Sequence, residues 1–195
     1  MKLVINIVLT LAILLLAYML YSSIKEPIAF GEAKKLRKDA VVDKLQEIRK
    51  SQEIYRLIKG EFAGSFDQLS SVLNNDSIPT VKLVEDPEDP SNPEKFQKII
   101  TYSSAKDSLR GLGIGNIDSL QYIPFTDGLS FDIAADTLTY QQTLVSVTEV
   151  GTKWANFMGK YASPQYAKYD AGYEPQAKIK FGDMNKPNLS GNWER

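Results

Sequence analysis

The chain has 195 residues, with 23 Lys and Arg, 24 Asp and Glu, and a formal net charge of -1. Nucleic-acid-binding domains normally carry a marked basic excess, so this charge argues against that class of function. The sequence has no Cys and no His, which excludes disulfides, thiolate metal sites, a Cys nucleophile and the usual general base near neutral pH. We therefore expect no catalytic site and no cofactor.

The first element is an apolar segment from Leu3 to about Tyr21. A helix of about 20 apolar residues crosses one hydrocarbon core, and aromatic rings such as that of Tyr18 favour its edge. We predict an uncleaved membrane anchor over residues 1–24. Its lipid-facing side chains would be Leu3, Ile7, Leu11, Leu14, Tyr18 and Tyr21. A cleaved signal peptide and a buried core helix are the alternatives, but the run exceeds the usual 7–15 residues of a signal peptide.

Two signals for the side of the membrane oppose each other. A long domain after a two-residue head favours export, whereas a basic cluster behind the anchor favours the cytoplasmic side. The cluster consists of Lys25, Lys34, Lys35, Arg37 and Lys38. We expect the domain outside the cytoplasm, in the periplasm of a bacterium. The same cluster could instead contact anionic headgroups.

An amphipathic helical stalk is predicted over residues 25–62, with Pro27 either capping or kinking it. Apolar residues recur every three or four positions, which draws one stripe along a helix. Four of them are predicted contact residues: Leu36, Leu45, Ile48 and Tyr55. Ser51 and Gln52 interrupt the stripe, which favours packing on a sheet over a coiled coil. Contact of part of the stripe with neighbouring copies is the alternative.

The stalk ends at Gly60, and Ser65 with Gln68 forms a capping box for a short second helix. This order of elements, with Ile48-Arg49-Lys50-Ser51-Gln52-Glu53-Ile54-Tyr55, Gly60-Glu61-Phe62 and Phe66-Asp67-Gln68-Leu69, resembles the first helix of type IV pilins and pseudopilins. The resemblance covers about the first 75 residues. It implies a helix with a membrane half and a half packed on an antiparallel sheet. Asn6 is the strongly polar residue near the start of the apolar segment, where that family has an acidic one, and the family's leader motif is not found. Prepilin-type processing and the usual subunit docking are therefore not part of what the resemblance implies.

A globular domain over residues 63–195, continuous with the stalk, is predicted to contain an antiparallel sheet. Strands are expected at 81–84, 96–102 and 176–181, and the alternation at 129–134 predicts another. Asp127-Gly128 between two strand-like runs predicts a two-residue hairpin, and Ala135-Asp136 predicts the next turn. A short helix or strand is expected at 152–158.

Three further segments are candidate sites. Asp86, Glu88 and Asp89 lie in an acidic, proline-broken loop that could hold Ca²⁺, although it lacks the EF-hand spacing and a solvated loop is the alternative. The glycines at 111–115 predict a turn rather than a phosphate loop, because the partner residues of that motif are missing. A tyrosine loop at 161–173 is first interpreted as pinned by aromatic packing. Tyr166 and Tyr169 are its candidate contact residues.

The predicted fold class is α+β: a long N-terminal helix, transmembrane and then amphipathic, packed on an antiparallel sheet. The predicted function is a single-pass, membrane-anchored structural subunit of a pilus-like, secretion, motility or other envelope assembly. Its partners would be the lipid bilayer and other protein subunits, either copies of itself or an envelope complex. The alternative is an anchored extracytoplasmic module that binds a small ligand, ion or peptide.

Overall fold

The computed structural model describes residues 1–85 and 96–194, without the side chains of 83–85, 96 and 97. It contains a long N-terminal helix and two small antiparallel sheets. The predicted α+β class is therefore confirmed.

The first helix, α1, runs unbroken from Lys2 to Lys59. Pro27 lies inside it, so this residue neither ends one helix nor starts another. Because proline has no N–H, the carbonyl of Ser23 lacks its usual helical donor. Gly60 ends the helix with φ 83° and donates its N–H to the Arg56 carbonyl, as predicted for a left-handed C-terminal glycine. The predicted boundary between anchor and stalk thus falls within one continuous helix.

The second helix, α2, spans Phe66–Asn75. The Ser65 side chain accepts a hydrogen bond from the backbone N–H of Gln68. The Gln68 side chain reaches back and accepts from the N–H of Gly64. These two bonds satisfy backbone donors at the helix N-terminus.

The first sheet is a two-stranded hairpin of β1, Ser77–Glu85, and β2, Phe96–Ser104. Both strands are longer than the sequence predicted. A helix that the sequence analysis missed, α3, follows at Ala105–Gly111. Its signal was present, because Ser104 caps it by accepting from the N–H of Asp107.

The second sheet has three strands in the order β3-β4-β5. They are β3, Asp132–Tyr140, β4, Thr143–Lys153, and β5, Lys178–Gly182. A four-residue helix, α4, spans Trp154–Phe157 between β4 and β5, as one of the two predicted alternatives has it. The predicted turn at Ala135-Asp136 was wrong, since both residues lie within β3 and pair with residues of β4. The chain turns instead at Gln141-Gln142, whose φ angles are 48° and 66°. Positive φ at both central residues suits the right-handed twist of a hairpin.

The two-residue hairpin predicted at Asp127-Gly128 was also wrong. A single bridge joins Tyr122 to Ser130, and the chain between them forms a longer turn. Pro124 cannot donate to a strand partner, and Phe125 adopts φ 63°. Leu129, expected on the buried face, is 51% exposed.

The core lies between α1 and the elements packed along it, which are α2, α3, the second sheet and the tyrosine loop. Among its described side chains, the β1-β2 hairpin contributes the partly buried Ile78. The largest fully buried side chains come from widely separated parts of the sequence and include Phe30, Leu45, Ile48, Leu69, Leu73, Leu109, Leu120, Phe157, Met158 and Phe181. Because α1 contributes to this core from Phe30 onward, the domain cannot be separated from the helix without exposing its own interior.

Candidate functional site

The exposed segment of α1, residues 2–24, contacts nothing else in the described part of the chain closely enough to bury it. An 18-residue window here has a mean hydropathy of 2.7 and is 0% buried. The predicted anchor residues recur every three or four positions and so share one side of the helix, and all remain exposed: Leu3 73%, Ile7 52%, Leu11 61%, Leu14 61%, Tyr18 70% and Tyr21 61%. The opposite side is equally bare, with Leu9, Ile13 and Leu16 at 58%, 58% and 65%. A buried core helix is therefore excluded, and the segment is a candidate membrane span.

The packed segment of α1, residues 30–55, is the opposite case. Phe30, Val41, Leu45 and Ile48 are buried, and residues 34, 37, 52 and 55 continue the same face at steps of three or four. This is the apolar stripe that the sequence predicted, but its N-terminal part was assigned to the wrong residues. Leu36 lies off the face and is 65% exposed.

The predicted contact residues therefore have different positions. Leu45, Ile48 and Tyr55 are covered by the chain's own domain, so they stabilise its fold instead of facing a neighbour. Leu36 remains on the surface. Packing of the stripe within the chain was the preferred interpretation, and at these three positions the alternative of contact with neighbouring copies does not fit.

The polar interruption at Ser51 and Gln52 is an internal clamp. Both residues are fully buried. The Gln52 amide donates to the carbonyl of Ala63 and accepts from its N–H, both at 2.9 Å. A buried amide that pairs with both backbone groups of one residue fixes the turn after α1. Ser51 donates to the Glu47 carbonyl one turn earlier.

The tyrosine loop encloses Phe30. The ring of Tyr166 stacks on Phe30 at a centroid distance of 5.6 Å, while Tyr161 and Tyr173 meet it edge-on at 5.6 and 5.2 Å. Tyr169 is 6.1 Å away, and its hydroxyl donates to Glu26. Tyr166 and Tyr169, predicted as contact residues for a partner, therefore pack on α1. This arrangement agrees with the first interpretation of a loop pinned by aromatic packing.

Two members of the basic cluster are used to hold the same region. Lys34 pairs with Asp170 and lies 5.3 Å from the ring centroid of Trp154. Arg37 donates to the Phe157 carbonyl. The hydrogen bond from Lys34, followed by one from the backbone N–H of Gly172, holds the pKa of Asp170 below its ordinary value. Neither basic side chain is thus free for a headgroup.

The junction groove lies where the exposed segment meets the domain. It is a cavity of about 350 Å³ between α1 and the tyrosine loop. The helix contributes Tyr18, Tyr21, Ser22, Lys25, Glu26 and Ala29. The tyrosine loop contributes Tyr161 and Tyr166, and Lys160, the residue directly before it, also lines the cavity. The sequence analysis missed Lys160, because its approach to Tyr18 depends on how the loop folds around Phe30.

Exposed apolar side chains also lie on both faces of the β1-β2 hairpin, since neighbouring residues of a strand point to opposite faces. Val81, Ile99, Ile100 and Tyr102 are 49%, 46%, 50% and 68% exposed. Nothing in the described part of the chain pairs with the outer edge of either strand. Open edges with apolar side chains are surfaces on which another chain can pair.

The candidate Ca²⁺ ligands Asp86, Glu88 and Asp89 lie outside the described residues. Within residues 1–85 and 96–194, no group of three or more Asp or Glu side chains is arranged to hold a metal ion.

No family model, curated protein or solved structure matches this chain.

Proposed function

We propose that this protein is a single-pass, membrane-anchored structural subunit of an envelope assembly, with its domain outside the cytoplasm. The assembly would be a pilus-like fibre, a secretion or motility machine, or another envelope complex. The observation that carries the proposal is α1 itself. One continuous helix has an apolar segment exposed on all sides and a packed segment that forms the spine of an α+β domain.

The exposed segment supports the membrane part of the proposal. Removing a Leu, Ile or Val side chain from water contributes about 1.5–3 kcal/mol. More than ten such side chains stand exposed between Leu3 and Leu20. A bilayer would cover them on every side at once, and a helix satisfies its own backbone hydrogen bonds there.

The remaining surface supports the assembly part. With Leu45, Ile48 and Tyr55 used internally, the apolar surface that other subunits could contact includes the β1-β2 hairpin and the exposed positions of α1. Leu36 and Leu57 are 65% and 64% exposed. A subunit whose core is complete and whose hairpin edges are open can add neighbours without refolding.

Fractionation of the full chain tests the anchor. The intact protein, expressed in a bacterium, should stay in the membrane pellet through a carbonate wash and dissolve in detergent. Leu11→Lys with Leu14→Lys should release it, because each charge near the centre of a span costs about 2.5–3.5 kcal/mol. Leu36→Lys with Leu57→Lys, on the same helix but outside the span, is the matched control and should leave the protein in the pellet. An intact, folded chain that is soluble without detergent would refute the anchor.

The size of the extracted protein tests the assembly. Cross-linking in intact membranes, followed by detergent extraction, should give species larger than the monomer. Ile99→Lys with Ile100→Lys on the hairpin should reduce them without unfolding the domain. If the original protein is a monomer both after cross-linking and after detergent extraction without it, an anchored binding module is favoured instead.

The side of the membrane is tested separately. Protease added to spheroplasts should digest the domain if it lies outside the cytoplasm.

A further inference from the structure

The junction groove combines two lysines with aromatic walls. The Lys25 Nζ atom lies 5.4 Å from the ring centroid of Tyr21. The Lys160 Nζ atom lies 4.8 Å from the ring centroid of Tyr161. One lysine comes from the helix and the other from the position directly before the loop, and both are exposed. Among the described residues, neither forms an ion pair with a carboxylate.

The charged side chains that line the groove carry a net positive charge. The one carboxylate that lines the groove, Glu26, already accepts a hydrogen bond from the hydroxyl of Tyr169. The Lys168 Nζ atom lies 4.5 Å from the ring centroid of Tyr169, the residue whose hydroxyl donates to Glu26. Two lysines within the groove and a third beside it therefore face one engaged carboxylate. An anionic group is the natural complement.

The groove also lies at a defined position along α1, at the end of the apolar segment. Tyr18 and Tyr21, which line it, occupy the end of the apolar segment. If that segment spans a bilayer, the groove opens at the level of the headgroups, where phosphates lie. One face of Tyr21 and one face of Tyr161 are already covered by the ammonium groups of Lys25 and Lys160, so these faces are poorly placed to take the choline cation of a zwitterionic lipid.

We infer that the junction groove binds the phosphate of an anionic phospholipid between Lys25 and Lys160, with the acyl chains along the exposed segment of α1. This inference rests on the proposed membrane anchoring. The lipid would join the tyrosine loop to the helix at the membrane surface and would stabilise the domain where it meets the bilayer.

Thermal unfolding of the full chain in a neutral detergent tests the inference. Phosphatidylglycerol at about ten times its apparent Kd should raise the Tm by roughly 3 °C. Phosphatidylcholine at the same concentration should give less than half of that rise. Lys25→Gln with Lys160→Gln should lose most of the response. Lys98→Gln with Lys186→Gln removes two exposed lysines elsewhere and should respond like the original protein.

Three results would overturn the inference. These are equal responses to the two lipids, an undiminished response in the Lys25/Lys160 variant, and the same Tm rise with millimolar inorganic phosphate alone, which would indicate a site for soluble anions. If the double variant does not fold, Lys160→Gln should lose part of the response and Lys160→Arg should keep it. A carbonate wash separates the two proposals. If the Lys25/Lys160 variant stays in the membrane but has lost its response to lipid, the groove binds lipid independently of anchoring. If the original protein is released by the wash, the proposed anchor is refuted.

Discussion

The two segments of α1 differ in what covers them, although they belong to one helix. The exposed segment is apolar on every side and is left bare by the domain. The packed segment is apolar on one face, and that face is buried in the core. An unbroken helical backbone therefore does not imply one environment for the side chains along it. Which residues of the helix tolerate change should depend on the segment in which they lie.

The largest expected effect is a charge in the packed segment. Ile48 is fully buried, so Ile48→Asp would place an unpaired carboxylate in the core and cost about 3–5 kcal/mol. That is a large fraction of the stability of an ordinary domain. We expect the domain to be unfolded or nearly so by circular dichroism. Leu57→Asp, on the exposed side of the same helix, should change stability by less than about 0.5 kcal/mol, and a well-folded Ile48→Asp protein would contradict the position of the packed face.

The next effect concerns the end of the packed segment nearest the anchor. Phe30→Ala removes the ring around which four tyrosines pack and should cost about 3–5 kcal/mol. Ile28→Ala, two residues away and exposed, is the control and should cost much less. Denaturant unfolding measures both values. Similar losses for the two variants would mean that the tyrosine loop does not depend on Phe30.

A smaller effect is expected at the internal clamp. Gln52→Leu keeps the approximate volume but leaves the N–H and C=O of Ala63 buried without partners. Each unpaired group costs about 1–3 kcal/mol, and burial of the apolar Leu side chain offsets part of the sum. We therefore expect a total loss of about 2–4 kcal/mol by denaturant unfolding. Gln68→Leu is the matched control, since its bond to Gly64 is exposed. Should Gln52→Leu be neutral or stabilising, the clamp would be replaceable by simple apolar packing.

The smallest effect is pH-dependent and involves the ion pair that ties the loop to α1. The pKa of Asp170 is below its ordinary value of 3.8 because Lys34 donates to it. The ionised form therefore stabilises the fold above about pH 3.8, and that contribution is lost as the pH falls through the lower, folded-state pKa. Asp170→Asn should cost about 0.2–1 kcal/mol at neutral pH, since the pair is partly exposed. The difference in Tm between this variant and the original protein should shrink in acid. Asp127→Asn, in an exposed turn, is the control for the substitution itself and should change the stability by less than about 0.5 kcal/mol at neutral pH.

Much of α1 was predictable because its signals are local. Hydropathy identified the exposed segment, spacing identified Leu45 and Ile48, and Gly60 marked the end of the helix. Phe30 was missed because it is a single aromatic residue soon after Pro27, and its importance comes from tyrosines more than 130 positions later. Leu36 was placed on the wrong face because the residues that continue the stripe there, Lys34 and Arg37, are charged.

The strands were less predictable for a related reason. Asp127-Gly128 is a strong local hairpin signal, but Pro124 and the bridge at Tyr122 produced a longer turn. Gln141-Gln142 carries no turn signal, because glutamine rarely adopts positive φ. Its position follows from the register of β3 on β4. The junction groove needed the folded loop, since Lys25 and Lys160 are far apart in sequence.

The absence of a break in α1 at Pro27 has a mechanical consequence. At 1.5 Å per residue, 58 residues make a rod of about 87 Å. The domain packs on this rod from Phe30 onward. If the exposed segment spans a bilayer, as we propose, no flexible tether lies between the bilayer and the folded part. Any tilt of the span within the lipid would rotate the whole domain by the same angle. The orientation of the domain relative to the membrane would therefore be set by the tilt of the helix in the bilayer.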